Sequence, residues 1–147
     1  PDTLGYTLQS NLFRSKDDLL ELRKHNISIR LVKGAYKESS ANAYKEKNRI
    51  RDNFLYLADM LKNNMHSNNA IATHDQSLLN ELKTSHFKYE LLYGVRRDIQ
   101  NNLIYDKQKV GIYCPYGSNW FPYTIRRLKE FKNIIFISRN IFKEWIN

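Results

Sequence analysis

The sequence has 147 residues, of which 41% are hydrophobic and 27% are charged, proportions that suit one globular domain with its own core. It contains no apolar run of about 18 residues, which excludes a conventional membrane-spanning helix. Its single cysteine, Cys114, excludes an intrachain disulfide and a cysteine-rich metal site, and we interpret it as a small buried hydrophobe rather than a nucleophile.

The net charge of +9 is compatible with a nucleic acid or an anionic membrane surface as a partner. The basic residues, however, are spread over every segment, and no zinc-finger, RNA-recognition or helix-turn-helix signature is present. We therefore predict no nucleic-acid partner, and a basic, aromatic-rich binding module is kept as the alternative class. The sequence begins at Pro1 without a signal-peptide pattern, and we expect it to be part of a longer protein.

Strand and helix patterns alternate along the chain. Strands are predicted at residues 5–10, 27–32, 70–73, 87–93 and 109–113. Ser15 and Asp75 are predicted to cap the helices that follow them. A long helix is predicted over residues 41–65, and its apolar stripe consists of Ile50, Phe54, Leu57 and Leu61. Another helix is predicted after Gly94, ending near residue 105. This alternation predicts a parallel sheet, in which ligands bind at the carboxyl ends of the strands.

The residues after the fifth strand predict a tight turn and a helix. Pro115 and Gly117 break the strand, and Pro122 suits the first turn of a helix. One face of that helix would carry Tyr123, Arg126, Arg127 and Glu130. Two guanidinium groups beside an aromatic ring suit the carboxylate of a small amino or hydroxy acid, although a solvated face with Arg–Glu pairs is the alternative. We expect residues 133–138 to form a loop before a short final helix.

Two earlier strand ends also carry candidate ligand groups. After the second strand, Lys33 offers a point charge for a phosphate and Gly34 permits close backbone approach, while a basic strand end meeting solvent is the alternative. After the third strand, His74 and Asp75 suggest an acid–base pair, or a polar strand end followed by a helix cap. No three-ligand cluster supports a metal site.

Taken together, these segments resemble the proline dehydrogenase family. The family's Tyr-x-Pro-x-Gly turn and Tyr-x-x-Arg-Arg-Leu-x-Glu helix match residues 113–117 and 123–130. Its fifth-strand motif matches residues 30–36, and Ala-Thr-His-Asp matches residues 72–75. Residues 90–94 resemble the seventh strand, where the family usually has Gln at the position of Glu90. The resemblance covers about residues 5–133.

The resemblance implies an α/β fold of the (β/α)8 TIM-barrel family. Residues 1–147 would be the C-terminal part of one barrel domain, with strands four to eight present and the first three absent. It further implies FAD-dependent oxidation of L-proline to Δ1-pyrroline-5-carboxylate, with electrons passed to a quinone. The 147-residue chain alone is expected to be inactive. Another flavin- or phosphate-binding barrel enzyme is a second alternative.

The resemblance also assigns residue roles. Arg30 would act beside the flavin as the catalytic residue, where its positive charge favours the reduced, anionic ring. Cofactor-binding residues would be Gln9, Arg30, Lys33, Gly34, Ala35, Thr73, His74 and Glu130. Substrate-binding residues would be Tyr36, Leu92, Tyr113, Tyr123, Arg126 and Arg127. The implied location is cytoplasmic and peripheral at the inner face of a membrane, or mitochondrial in a eukaryote.

Overall fold

The computed structural model describes residues 5–34, 36–63, 66–83 and 87–118. Within these residues, strands and helices alternate along the chain. The strands are β1 (Gly5–Gln9), β2 (Ser28–Val32), β3 (Ala70–Ala72), β4 (Lys88–Leu92) and β5 (Lys109–Tyr113). The helices are α1 (Ser15–Lys24), α2 (Lys47–Lys62), α3 (Gln76–Leu82) and α4 (Arg97–Tyr105). The predicted helix that carries Arg126 and Arg127, and everything after it, lies outside the described residues.

The five strands form one parallel sheet in the order β1-β2-β3-β4-β5, which confirms the predicted strands and their direction. The register aligns Thr7 with Arg30, Arg30 with Ala70, Ala70 with Lys88, and Lys88 with Lys109. These five residues therefore form one row across the sheet. Within the described chain, β1 and β5 are the two edge strands.

One face of the sheet packs against the helices and forms the core. Alternate strand residues point to this face, as the two-residue period of a strand requires. They interleave with the apolar stripes of the helices. The core residues from the strands are Leu8, Ile29, Leu31, Ile71, Tyr89 and Leu91, and those from the helices include Leu19, Phe54, Leu57, Leu61, Leu78, Leu79, Ile99 and Leu103.

The opposite face of the sheet, which we call the open face, carries the other half of each strand. Its residues are Thr7, Gln9, Arg30, Val32, Ala70, Ala72, Lys88, Glu90, Leu92, Lys109, Gly111 and Tyr113. Small and charged side chains dominate this face, whereas the core face is almost entirely apolar. The sheet is therefore two-sided, with the ligand-type residues on the side away from the helices.

The second helix is shorter than predicted. It begins at Lys47 rather than near residue 41, because the preceding residues bind the loop after β1 instead. Ala43 forms an antiparallel bridge with Leu12, and the Tyr44 N–H donates to the Asn11 carbonyl at 2.8 Å. Backbone groups paired with another segment cannot join a helical ladder, so tertiary contacts override the local helical pattern.

The two predicted caps had different outcomes. Asp75 caps α3, since its carboxylate accepts the backbone N–H groups of Ser77 and Leu78. The Ser15 prediction was wrong: Ser15 is fully buried, lies inside α1, and its hydroxyl donates to the Gln9 carbonyl. Burial against the end of β1 thus gives this hydroxyl a partner outside the helix.

No helix in the described ranges is long and apolar enough to cross a membrane.

Candidate active site at the carboxyl ends of the strands

The loops after β1 and β2 are joined by hydrogen bonds at the carboxyl edge of the sheet. The Asn11 N–H donates to the Lys33 carbonyl at 2.9 Å, and the Ser10 hydroxyl donates to the same carbonyl at 3.2 Å. The Asn53 amide of α2 donates to the Ser10 carbonyl at 2.7 Å. The backbone that carries Lys33 and Gly34 is therefore fixed from the side of β1 and α2.

Gly34 and Asn11 meet at this junction. Gly34 has a φ of 102°, in the region that only glycine adopts readily. A Cβ at this position would lie 1.9 Å from the Asn11 Oδ1, so the Asn11 side chain fills that space. Asn11 is 6% exposed, and its Oδ1 has no hydrogen-bond partner in the described structure. A buried acceptor without a donor is unusual and marks this point as one where a ligand group could donate.

Lys33 pairs with the helix cap that follows β3. Its ammonium contacts the Asp75 carboxylate, whose other oxygen accepts the first N–H groups of α3. Burial raises the pKa of Asp75, but the Lys33 ammonium and the Leu78 and Ser77 N–H groups outweigh it, so the pKa lies below the usual value. A phosphate at this edge would therefore share Lys33 with Asp75.

His74 links the ends of β3 and β4. Its Nε2 accepts the Leu92 N–H at 3.1 Å, an arrangement that requires this nitrogen to be unprotonated. Burial, together with the charge of Arg96, lowers the pKa of His74 to about 4. The neighbouring Thr73 is buried, and its hydroxyl accepts the Asp75 N–H at 3.2 Å. The imidazole is thus neutral at physiological pH and is held against the backbone of β4.

Arg30 lies on the open face, in the middle of β2. Its Nε is 2.7 Å from the Glu90 Oε2 of β4, and its guanidinium carbon is 5.2 Å from the centre of the Tyr113 ring of β5. The Nε is buried and makes no aligned hydrogen bond, so the contact with Glu90 is an ion pair without hydrogen-bond geometry. Side chains from two other strands, β4 and β5, therefore hold this guanidinium in place.

The structure brings many of the predicted site residues to one edge and one face of the sheet. Those on or beside the carboxyl edge or the open face are Gln9, Arg30, Lys33, Gly34, Thr73, His74, Leu92 and Tyr113. Tyr36 follows the same edge and is 57% exposed. The predicted residues Ala35, Tyr123, Arg126, Arg127 and Glu130 lie outside the described residues.

Two residues of this region were not among the predicted site residues. Lys88 lies two positions before Glu90 within β4, so the two side chains point to the same face, and that spacing was the available signal. Asn11 lies in the turn after β1, where strand alternation does not apply, and no local pattern marked it. Lys88 contacts the Glu90 Oε1 at 2.9 Å, which makes it part of the charge cluster around Arg30.

The residue types at this edge fit a phosphate-bearing nucleotide cofactor. Amide, hydroxyl, guanidinium and ammonium groups supply hydrogen bonds and positive charge, and the unpartnered Asn11 Oδ1 can accept one more donor. The described ranges contain no group of three His, Cys, Asp or Glu side chains placed to bind a metal ion.

A parallel α/β sheet with such groups at its carboxyl edge places the chain in the class of α/β proteins that bind ligands at the ends of their strands. Comparison with known families narrows this class. The proline dehydrogenase family matches residues 4–136, nearly the whole sequence, and the chain belongs to this family.

Individual relatives agree with the family match. The chain is 34% identical over 155 residues to Proline dehydrogenase 1 of Bacillus subtilis strain 168, covering 97% of the chain and 50% of that protein. It is 35% identical over 151 residues to Proline dehydrogenase of Deinococcus radiodurans, covering 95% of the chain and 48% of that protein. The chain therefore spans about half the length of these relatives.

Proposed function

We propose that the protein containing this chain is an FAD-dependent proline dehydrogenase, which oxidises L-proline to Δ1-pyrroline-5-carboxylate. The observation that carries the proposal is the family match over residues 4–136, together with the gathering of its motif residues at one edge of a parallel sheet.

The chain is proposed to supply strands four to eight of a (β/α)8 barrel. Three observations support this. The described strands are parallel and follow one another in sequence order. Among the described residues β1 and β5 have no further strand partner, and the chain spans about half of each relative. The open face would become the barrel interior, and the remaining strands would come from the other half of the protein.

The cofactor would be held by residues from three strand ends. Lys33 and Gly34 would approach its phosphates, while Gln9, Thr73 and His74 would offer hydrogen-bonding groups. Ala35 and Glu130 are proposed contributors on the basis of the family resemblance. Bound FAD would supply the hydride acceptor for the proline ring carbon next to nitrogen.

The substrate would be held by its carboxylate and enclosed by aromatic and aliphatic side chains. Arg126 and Arg127 are proposed to clamp the carboxylate through charge-assisted hydrogen bonds, which would orient the ring. The pocket walls are proposed to be Tyr36, Leu92, Tyr113 and Tyr123. Tyr113 and Leu92 occupy paired positions on neighbouring strands of the open face, which supports their shared role.

We further propose a membrane quinone as the electron acceptor, reached by peripheral contact with a membrane. The net charge of +9 supports this, because cytoplasmic leaflets are anionic. The proposed location is accordingly the inner face of the cell membrane, or a mitochondrial membrane in a eukaryote.

The proposal is tested by the visible spectrum of the full-length protein that contains these residues. We expect it to purify yellow or to take up added FAD, and we expect L-proline to bleach the flavin band anaerobically. D-proline and L-alanine serve as controls for substrate specificity. A colourless protein that ignores FAD would overturn the proposal, and flavin that is never reduced by L-proline would point to a different flavin enzyme.

A further inference from the structure

Glu90 lies between two cations on the open face. Its Oε2 is 2.7 Å from the Arg30 Nε, and its Oε1 is 2.9 Å from the Lys88 Nζ. The Glu90 side chain is only 20% exposed and that of Arg30 only 32%. One carboxylate thus faces two positive charges in a half-buried setting, where water and salt screen charge less than at the surface.

The backbone of β5 makes room for this cluster. Gly111 pairs with Glu90 in the sheet, and a Cβ at Gly111 would lie 2.7 Å from the Lys88 Cε. Any larger residue would therefore push Lys88 away from Glu90 or shift the strand. Tyr113 of the same strand stacks near Arg30. The neighbouring strand is thus shaped to accept Lys88 beside the carboxylate.

The contact between Glu90 and Arg30 acts chiefly through charge. The Arg30 Nε is buried and lacks an aligned hydrogen bond despite its short distance to Glu90. Glu90 offsets one of the two positive charges, so the cluster of Arg30, Lys88 and Glu90 has a net charge of about +1. Without the carboxylate charge the net charge would be about +2. Replacing the carboxylate by an amide of the same shape would remove this offset without removing atoms.

We propose that Glu90 is a charge-tuning residue that lowers the reduction potential of the flavin held beside Arg30. The proposal rests on the proposed function and on the family resemblance, which implies that Arg30 lies beside the flavin. In that reaction the hydride leaving the proline ring carbon carries both electrons to the flavin, and the ring nitrogen, left as an iminium, releases its proton to water. The flavin side gains one negative charge, so any loss of nearby positive charge disfavours its reduction.

The test is the midpoint potential of the bound flavin, measured at fixed pH by equilibration with reference dyes in the full-length protein without proline. We expect Glu90→Gln to favour flavin reduction about tenfold, which for a two-electron couple is an upward shift of about 30 mV. Lys88→Met should shift the potential downward. Glu81→Gln is the matched control, because Glu81 pairs with Arg51 on the helical side, away from the open face.

The outcomes separate this inference from the proposed function. Failure of the unmodified protein to bind flavin would overturn the proposed function. If every variant binds flavin and the midpoint potential of Glu90→Gln is no higher than that of Glu81→Gln, the inference is overturned and the proposed function stands. If Glu90→Gln does not fold or bind flavin, Lys88→Met decides: a downward shift supports the tuning role of the cluster, and an unchanged potential contradicts it.

Discussion

Gly34 and Asn11 show how closely single residues determine the loop after β2. The glycine conformation and the asparagine side chain occupy complementary space, since a Cβ on Gly34 would overlap Asn11. The asparagine is in turn held by backbone bonds to Lys33 and Tyr44. The position of the Lys33 backbone therefore depends on Gly34 and Asn11.

Gly34→Ala should destabilise the full-length protein by roughly 2–4 kcal/mol, because a left-handed conformation costs about 1–3 kcal/mol and the overlap with Asn11 adds to it. Urea unfolding measures the change. Gly117→Ala is the matched control: its φ is 93°, but no atom of the described residues lies within 4 Å of the added Cβ. Combining Gly34→Ala with Asn11→Ala should recover part of the loss. Equal losses in Gly34→Ala and Gly117→Ala would show that the overlap is unimportant.

His74 should make stability fall in mildly acidic solution. Burial and the Arg96 charge lower its pKa to about 4, whereas an unfolded histidine titrates near 6.5. The unfolded chain therefore binds the proton first, so the stabilisation is complete above about pH 6.5 and is lost as the pH falls toward 4. Between pH 7.5 and pH 5 the loss should be about 2 kcal/mol.

Urea unfolding of the full-length protein at these two pH values measures that dependence. His74→Gln should reduce the difference between the two pH values by about 2 kcal/mol, since glutamine does not titrate. A His74→Gln protein with the full pH dependence would show that other groups are responsible.

Helix α3 illustrates how one side chain can start an element and also join it to its neighbours. Asp75 caps the helix with one oxygen and pairs with Lys33 of the β2 end with the other. The helix is only 7 residues long, so its first turn is a large part of it. Its remaining stability comes from the buried leucines on its core face.

Two substitutions at Asp75 separate these roles. Asp75→Asn keeps a good cap but removes the charge, and should cost no more than about 1 kcal/mol, because partly exposed ion pairs contribute little. Asp75→Ala removes both the cap and the charge, and should lower the free energy of unfolding by about 1–2 kcal/mol more than Asp75→Asn does. Thermal unfolding of the full-length protein compares them. If Asp75→Asn were as costly as Asp75→Ala, the Lys33 pair would be the dominant interaction.

Helices cover one face of the sheet, whereas the other face, the open face, is not covered by the described helices. The core face is closed by helices, while the open face presents charged and small side chains between two free edges, β1 and β5, in the described chain. Free strand edges pair readily with other chains. This architecture agrees with a half of a barrel that is completed by further strands.

The 147 residues expressed alone should therefore self-associate or misfold, and should neither bind FAD tightly nor oxidise proline. Size-exclusion chromatography with a flavin assay tests this expectation, and the full-length protein is the control. Adding the other half of the protein as a separate chain should restore a defined species that binds flavin. A monodisperse monomer of the isolated piece with proline-dependent flavin reduction would contradict the half-barrel proposal.

The sequence by itself determined the number, order and type of the described strands and helices, the Asp75 cap and the motifs at the strand ends. These features depend on residues close together in the chain, such as apolar alternation in β4 or a polar residue before a helix. The same local signals carried the family resemblance, which the family match confirmed.

Contacts between distant segments were decided by the folded structure. The start of α2 depends on the bridge between Leu12 and Ala43, the partner of Lys33 lies 42 residues away, and Arg30 meets Glu90 across an intervening strand. Such pairs follow from strand register and loop path, which local patterns do not encode. For that reason the sequence indicated which residues reach the strand ends, whereas the charge balance around Arg30 emerged only from the assembled sheet.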